Sequence, residues 1–322
     1  MRSQARDSDL TLGVDIGGSG VRAAVVSGAG EIGPVARAAL QSDWGCDRVW
    51  STVLDCIQRA AEGPIDAVGI SFPAFLDDAG RVVHIVNLPA LEGVDLTARL
   101  HADVSARRVI PLPDLAAGTL AEARLGAGAG YRRVLCAALG TGVNAGLAVG
   151  GAVKDVALGA LGDAGHVQVE PDGPPCTCGG RGCLEAVCSG WALARAAEQA
   201  AWSSAEHMAA AALAGDARAR ALVGRAGVAL GRALATWCAV FAPDVVVIAG
   251  SLAEIGPPLL EPAEREWRRV GVPYLVEGVE LVRARFGGDA ALVGAGLAAR
   301  DGDGRATPRD GRATGGGAPR RG

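Results

Sequence analysis

The feature that most constrains the fold is a pair of similar segments, one in each half of the chain. Each segment joins two runs of β-type residues through a glycine-rich turn. In the first, Leu12–Ile16 and Val21–Val26 flank the turn GGSG, and in the second, RVLCAAL and NAGLAVGGAV flank the turn GTGV. Such segments predict β-hairpins. Because helical segments lie between the strands of both halves, the sequence predicts an α/β protein of two lobes with a ligand-binding cleft between them.

The same pattern predicts the domain boundaries. We expect an N-terminal lobe at residues 1–112, completed by a C-terminal helix at 290–300, and a C-terminal lobe at 113–289. The alanine-rich stretch from Ala192 to about Phe241 predicts helix. Residues 301–322 contain Gly, Arg, Asp and Pro without periodicity, so we expect a disordered tail.

Composition excludes several classes of protein. The 322-residue chain has a net charge of −4, whereas nucleic-acid-binding proteins usually carry a basic surplus. Its charged start has no apolar signal segment, which favours a cytoplasmic protein. The uncharged run Val134–Val153 is long enough for a membrane span, but a glycine-rich turn interrupts its centre and predicts two strands instead. We therefore expect no nucleic-acid or membrane partner.

A histidine and three cysteines lie close together in the stretch GHVQVEPDGPPCTCGGRGCLE. They are His166, Cys176, Cys178 and Cys183. Zinc prefers four nitrogen or sulfur ligands in tetrahedral geometry, and four protein ligands leave no open position for water. The pattern therefore predicts a structural zinc site. Its Cys-x-Cys spacing is tighter than that of common zinc fingers, and free thiols in a surface loop are the less favoured alternative.

The two glycine turns are candidate phosphate sites, because backbone N–H groups at such turns can approach anionic oxygens. The residues concerned are Asp15, Gly17, Gly18 and Ser19 in the first turn, and Gly140, Thr141 and Gly142 in the second. Asp15 also offers an oxygen ligand for Mg²⁺. Taken alone, either turn is better explained as an ordinary β-hairpin turn, but the presence of one in each half strengthens the phosphate interpretation.

Asp114 follows a predicted strand and precedes a predicted helix, in LPDLAAG. This position is typical of a helix N-cap. A carboxylate at the edge of a cleft can also serve as a general base. The two roles are compatible only if one carboxylate oxygen remains free.

The motifs together resemble the ROK family of bacterial sugar kinases and related repressors. They are DIGGSG, PDLAAGTLAEARLGAG, LGTGVNAGLAVGG, GDAGHVQVEPDG and CTCGGRGCLE, in this order, and the resemblance covers roughly residues 10–300. It implies the actin-like ATPase, or ribonuclease H-like, fold in two lobes. It also implies transfer of the γ-phosphoryl group of ATP to a hexose hydroxyl, commonly O6, and a possible homodimer.

The resemblance assigns roles to individual residues. Asp114 corresponds to the general base, and Asn87, Asp163, His166 and Glu185 correspond to sugar contacts. The two turns would hold ATP phosphates with Mg²⁺, and Gly250 lies in the segment near the adenosine. His166 would touch the sugar on one side and zinc on the other, so that the metal preorganises the sugar pocket.

Several positions depart from the family pattern. The departures are Ala74, Pro113, Asn144, Ala145, Asp163 in place of Glu, and Ala249-Gly250-Ser251 in place of three glycines. They alter the sugar pocket or the phosphate turns and leave the metal ligands unchanged. An amino-sugar such as glucosamine or kanosamine therefore becomes a candidate substrate beside glucose.

Two other functions compete with a kinase. Family repressors carry a DNA-binding domain before the first turn, and only fourteen residues precede Asp15 here, so we expect no repressor. A sugar-binding protein without catalysis is the remaining alternative. The altered second turn favours it, and retention of Asp15 and Asp114 opposes it.

Overall fold

The computed structural model describes residues 11–302, except 62, 64, 78–80, 86, 105 and 155–160. The predicted tail therefore lies outside the described residues, apart from its first two positions. None of the helices in this described part combines the length and apolar character that a membrane span requires. The run Val134–Val153 forms strands and turns, as predicted.

The first half of the chain builds one five-stranded sheet. Strands β1 to β7 span Thr11–Ile16, Gly20–Val25, Ala36–Ala39, Ile65–Phe72, Phe75–Leu76, Val82–His84 and Ala106–Pro113. The sheet order is β3-β2-β1-β4-β7, and the short strands β5 and β6 pair separately. Helices α1 (Cys46–Ala60) and α2 (Leu96–Asp103) also lie in this half, and buried side chains of α1 such as Trp50 join its core.

The second half repeats this sheet. Strands β8 to β12 span Arg133–Leu139, Val143–Val149, Ala152–Lys154, Val245–Ala249 and Glu280–Arg283, in the order β10-β9-β8-β11-β12. In each sheet, the hairpin with the glycine turn and the edge strand next to it, β3 or β10, pair antiparallel. The strands on the other side of the hairpin pair parallel. The predicted hairpins are therefore present, one in each sheet.

Helices of the second half surround the second sheet and connect it to the first. Helices α3 to α10 span Asp114–Arg124, Leu184–Val187, Gly190–Gln199, Ala205–Leu213, Ala217–Phe241, Pro257–Val270, Pro273–Val276 and Ala290–Asp301. The helical stretch predicted from Ala192 to about Phe241 forms three helices, α5 to α7, because Ser204 and Asp216 cap new helices within it. Each side chain accepts a hydrogen bond from a backbone N–H of the following first turn.

Helix α10 ends the described chain and packs against the first sheet and against α3. The contacts are so close that a methyl group at Gly13 in β1 would collide with the carbonyl of Leu292. One at Gly69 in β4 would collide with the carbonyl of Ala295. Glycine is therefore needed at these strand positions for the backbone approach.

Candidate active site

The carboxylate of Asp15, beside the first glycine turn, is held in a defined position. The turn closes through a 2.8 Å hydrogen bond from Gly17 N to the Gly20 carbonyl. Asp15, at the end of β1, accepts a hydrogen bond from Ser71 Oγ on one oxygen and from Arg22 Nη2 on the other, each at 2.7 Å. Both oxygens are thus engaged by neighbouring strands, which fixes the orientation of the carboxylate.

Arg22 extends this arrangement to the region before α10. Its Nη1 lies 2.7 Å from Asp289 Oδ1, and its Nη2 donates to the Gly288 carbonyl at 2.5 Å. Arg22 is not among the site residues predicted from the sequence. A signal was available, because Asp15 and Arg22 are direct partners in the register of the first hairpin, where opposite charges attract. Arg22 and Asp289 are 267 positions apart in the chain, so no local sequence pattern indicated their contact.

Asn87, a predicted sugar contact, lies against the first turn. A methyl group at Gly18 would lie 2.7 Å from the Asn87 side chain, so the absence of a side chain at Gly18 makes room for the amide. The next residue, Ser19, is exposed, and its carbonyl accepts from Leu40 N at 3.0 Å. The turn therefore brings a predicted sugar contact and predicted phosphate contacts together.

Asp114 begins α3 directly after β7. Pro113 occupies the capping position and provides no side-chain cap, so the prediction of Asp114 as the N-cap residue is wrong by one position. Its Oδ1 still accepts a 2.7 Å hydrogen bond from Leu115 N at the start of the helix. Among the described residues, Oδ2 has no hydrogen-bond partner. One oxygen thus remains free for a substrate.

The surroundings of Asp114 raise its proton affinity. The side chain is exposed to solvent on one side, yet protein atoms surround it on most others. Desolvation raises the pKa of Asp114 from 3.8 to about 6, and the negative charge of Asp15 adds to the rise. A carboxylate with such a pKa is matched to accept a proton near neutral pH.

The second glycine turn connects β8 to β9. Gly140 N donates to the Gly142 carbonyl at 2.9 Å, and the Gly140 carbonyl accepts from Gly190 N at 2.8 Å. Thr141 is exposed at its tip. Gly250 has a φ of +90°, and a methyl group there would collide with the carbonyl of Leu139. The residue predicted near adenosine therefore packs on the strand that leads into this turn.

Three predicted sugar contacts lie beside the second turn. His166 Nε2 is 3.3 Å from Asp163 Oδ2, and Glu185 Oε2 accepts from Val143 N at 2.9 Å. Partial burial raises the pKa of Asp163; the nearby charge of His166 opposes this rise, and Glu185 adds to it. The structure thus brings Asp163, His166 and Glu185 into one polar cluster.

His84, the last residue of β6, lies near this cluster although it belongs to the first half of the chain. Its Nδ1 lies 3.3 Å from Glu92 Oε1. A positive His84 also lowers the pKa of Asp163, although less than desolvation raises it. The end of β6 therefore lies near the polar residues of the second half.

The four predicted metal ligands converge. One ligand atom from each of His166, Cys176, Cys178 and Cys183 lies within 4.8 Å of all the others. Cys176 Sγ is 3.5 Å from His166 Nδ1, and Cys178 Sγ is 3.7 Å from Cys183 Sγ. One nitrogen and three sulfur donors at such separations fit the tetrahedral site of structural zinc.

The loop that carries the cysteines is held by its own backbone. Cys176 N donates to the Gly180 carbonyl at 2.9 Å, and Val169 N donates to the Gly182 carbonyl at 2.8 Å. Gly182 has a φ of +68°, which favours glycine. His166 directs Nδ1 toward the cysteines and Nε2 toward Asp163. A single imidazole can therefore serve the metal and the polar cluster simultaneously.

The two repeated sheets, with a glycine turn in each and the Cys₃His cluster beside the second, define a two-lobed α/β protein of the actin-like fold, as predicted. Residues 11–301 match the ROK family, and the chain belongs to that family. The resemblance seen in the sequence motifs is thereby confirmed.

Known relatives agree with this membership. A glucokinase of Thermotoga maritima is 32% identical over 305 residues, covering 88% of this chain and 95% of the relative. A kanosamine kinase of Amycolatopsis mediterranei is 34% identical over 196 residues, covering 58% and 61%.

Two solved structures have the same fold. The ROK hexokinase of Thermus thermophilus aligns with a TM-score of 0.79 at 30% identity, covering 91% of this chain and 98% of the other. A ROK family glucokinase of Streptomyces griseus, in complex with glucose and AMPPNP, aligns with a TM-score of 0.74 at 29% identity, covering 91% and 99%.

Proposed function

We propose that this chain is an ATP-dependent sugar kinase that transfers the γ-phosphoryl group to a hydroxyl of a hexose or amino-hexose, O6 above all, with Asp114 as the general base. The class is supported by the glucokinase and kanosamine kinase relatives. The observation that carries the assignment is the Asp114 carboxylate, which keeps one free oxygen and a pKa of about 6 beside the first glycine turn.

In this mechanism, the free Oδ2 of Asp114 accepts the proton of the attacking sugar hydroxyl. The hydrogen bond from Leu115 N holds the other oxygen and keeps the carboxylate oriented. Phosphoryl transfer requires mainly positioning of the reactants and stabilisation of charge. A positioned base contributes about 10²- to 10⁴-fold to the rate.

The two turns would hold the nucleotide. Gly17, Gly18, Ser19, Gly140, Thr141 and Gly142 are the proposed phosphate-binding residues, with Gly250 near the adenosine. The N–H groups of Gly17 and Gly140 close their own turns, so the proposed phosphate donors are the N–H groups of the other four residues. Asp15 and the Ser19 hydroxyl offer the oxygen ligands that Mg²⁺ prefers, and Mg²⁺ would neutralise phosphate charge when bound. The salt bridge of Arg22 with Asp15 presets the orientation of that carboxylate.

Asn87, Asp163, His166 and Glu185 are the proposed sugar contacts. Their polar atoms suit the hydroxyl or ammonium groups of a sugar. A site that hydrogen-bonds such a group rejects substrates that lack it. Zinc held by His166 and the three cysteines would fix the segment that carries Asp163, His166 and Glu185. The shorter side chain at Asp163 and the adjacent Glu185 carboxylate favour an amino-sugar such as glucosamine or kanosamine as the substrate to test beside glucose.

An ADP-release assay with Mg²⁺ and ATP tests the proposal. The sugars are glucose, fructose, mannose, N-acetylglucosamine, N-acetylmannosamine, glucosamine and kanosamine, and Asp114→Asn is the matched control. Turnover of a sugar by the natural chain and its loss in the variant would support the proposal. Binding of a sugar without any ADP release would instead favour a sugar-binding protein that lacks catalysis.

A further inference from the structure

Asn144 connects the second turn to the segment that carries Asp163 and His166. It is the second residue of β9, directly after the turn. Its Oδ1 accepts two hydrogen bonds, from Ala145 N at 2.8 Å and from Ala164 N at 3.0 Å. Ala164 begins the 3₁₀ turn Ala164–His166, and Asp163 occupies the capping position of that turn.

The position of this link in the sheet explains why a side chain is needed. Among the described residues, the pairing of β9 with β10 runs from Val149 and Ala152 to Leu147 and Lys154. Nearer the turn, the 3₁₀ segment lies against the edge of β9, so close that a methyl group at Gly165 would collide with the Val143 carbonyl. The 3₁₀ segment does not pair with β9 as a strand. Instead, the amide oxygen of Asn144 accepts one hydrogen bond from β9, at Ala145 N, and one from the 3₁₀ segment, at Ala164 N.

The neighbouring residue makes a parallel connection. Val143 N donates to Glu185 Oε2 at 2.9 Å. Two successive residues of β9 are therefore bonded to the two elements that carry Asp163, His166 and Glu185. A shift of the turn on contact with phosphates would be transmitted to both elements, because a direct hydrogen bond joins each of them to β9.

We infer that Asn144 is a positioning residue that couples nucleotide occupancy of the second turn to the placement of Asp163 and His166. This inference rests on the proposed function. It also changes the interpretation of Asn144 as a departure from the family pattern. The sequence alone suggests that a side chain at this position weakens the phosphate turn, whereas its oxygen is directed at Ala164 N. A glycine at this position offers no acceptor for that N–H.

Hydrogen–deuterium exchange on the full chain tests the coupling, with Mg·AMPPNP as the probe. Exchange is followed in peptides that cover residues 161–168, with and without the nucleotide. Two variants remove the acceptor, Asn144→Ala and Asn144→Gly, and Asn144→Asp retains it. Ser204→Ala is the matched control, because it also loses one side-chain acceptor for a backbone N–H, but in the cap of α6. Calorimetry on the same samples measures AMPPNP binding, and melting temperatures confirm folding.

We expect the nucleotide to slow exchange at 161–168 in the natural chain by about fivefold or more, the lower range of typical couplings between sites. The slowing should disappear in both variants without the acceptor, although they still bind AMPPNP, and should persist in Asn144→Asp and Ser204→Ala.

Equal slowing in Asn144→Ala and the natural chain, or no slowing in a natural chain that binds AMPPNP, would overturn the inference alone. Loss of the slowing in Asn144→Asp would also overturn it, because the acceptor oxygen is then not the cause. Absence of AMPPNP binding to the natural chain would remove the proposed function itself, and calorimetry reports this separately.

Discussion

Asp15 and Arg22 face each other across the first hairpin and form a salt bridge of 2.7 Å, and the same guanidinium reaches Asp289 just before the last helix. The side chain of Asp15 is only 15% exposed and that of Arg22 only 25%, so the pair is poorly screened by solvent. The carboxylate proposed to assist Mg²⁺ is therefore oriented by a cation that is itself anchored at a distant point of the chain.

Removal of this cation should weaken the use of Mg·ATP. We expect Arg22→Met to lower kcat/KM for ATP by about tenfold, the effect of about 1.4 kcal/mol, and to raise the Mg²⁺ concentration needed for half-maximal activity. The KM for the sugar should change much less. Steady-state kinetics over a range of Mg²⁺ concentrations measures both effects. Arg59→Met is the control, since Arg59 forms an exposed ion pair within α1. An unchanged Mg²⁺ dependence in Arg22→Met would contradict the proposed role.

The general base should be separable from binding. Asp114→Asn keeps an acceptor for Leu115 N but cannot take a proton from the sugar hydroxyl. We expect kcat to fall by about 10²- to 10⁴-fold, with little change in sugar affinity. Turnover and calorimetric titration with the sugar measure the two quantities. Activity near that of the natural chain would show that another group takes the proton.

The raised pKa of Asp114 has opposite consequences for activity and stability. Because the base acts in its ionised form, kcat should fall as the pH drops below about 6. The same pKa lies above the unfolded value of 3.8, so the stabilising effect of this group is fully present below 3.8 and is lost as the pH rises through about 6. Asp114→Asn should therefore raise the melting temperature at pH 7.5 relative to the natural chain, and this gain should vanish at pH 3.5. A melting temperature that is lower than natural at pH 7.5 would argue against desolvation as the cause.

The zinc site should support the sugar site. We expect Cys178→Ser to lose bound metal and sugar affinity together, because the loop that carries His166 and Glu185 depends on the same ligands. Metal analysis and sugar titration provide the measurement. Cys46→Ser is a matched control, since Cys46 lies in α1 and outside the cluster. Absence of zinc from the purified natural chain would end this prediction.

Gly18 and Asn87 should act on the sugar as one unit. Because a methyl group at Gly18 would lie 2.7 Å from the amide side chain, Gly18→Ala should displace Asn87 and raise the sugar KM about as much as Asn87→Ala does. The double variant should then show no further increase, since the two changes remove one contact. Gly17→Ala is the control, because its methyl group would meet only the Gly20 carbonyl, at 3.6 Å. Additive effects on the sugar KM would show that the two residues act separately.

Local sequence was sufficient wherever a short segment determines its own structure. The turns at Gly17 and Gly140 and the start of α3 at Asp114 were predictable because strand patterns and turn residues are adjacent in the chain. The metal ligands were predictable as well, since four donors lie within eighteen positions. These residues converge as expected.

The parts of the site that the sequence did not reveal depend on contacts between segments that are distant in the chain. Ser71 and Asp289 join Asp15 and Arg22 only after the sheets and α10 have assembled, so no spacing in the sequence reveals them. The sequence showed that Asn144 departs from the family pattern, but it did not show where the side chain points. The partner of its oxygen lies twenty positions away, beyond a separate strand.

The packing of α10 determines when the first sheet can be covered during synthesis of the chain. The strands with Gly13 and Gly69 leave the ribosome well before Leu292 and Ala295, which cover them, because α10 lies much later in the chain. Synthesis proceeds at about 5–20 residues per second, so the face of the first sheet waits on the order of tens of seconds for its cover. The nascent chain must therefore keep this apolar face from aggregation throughout translation, and premature termination before α10 would leave it permanently bare.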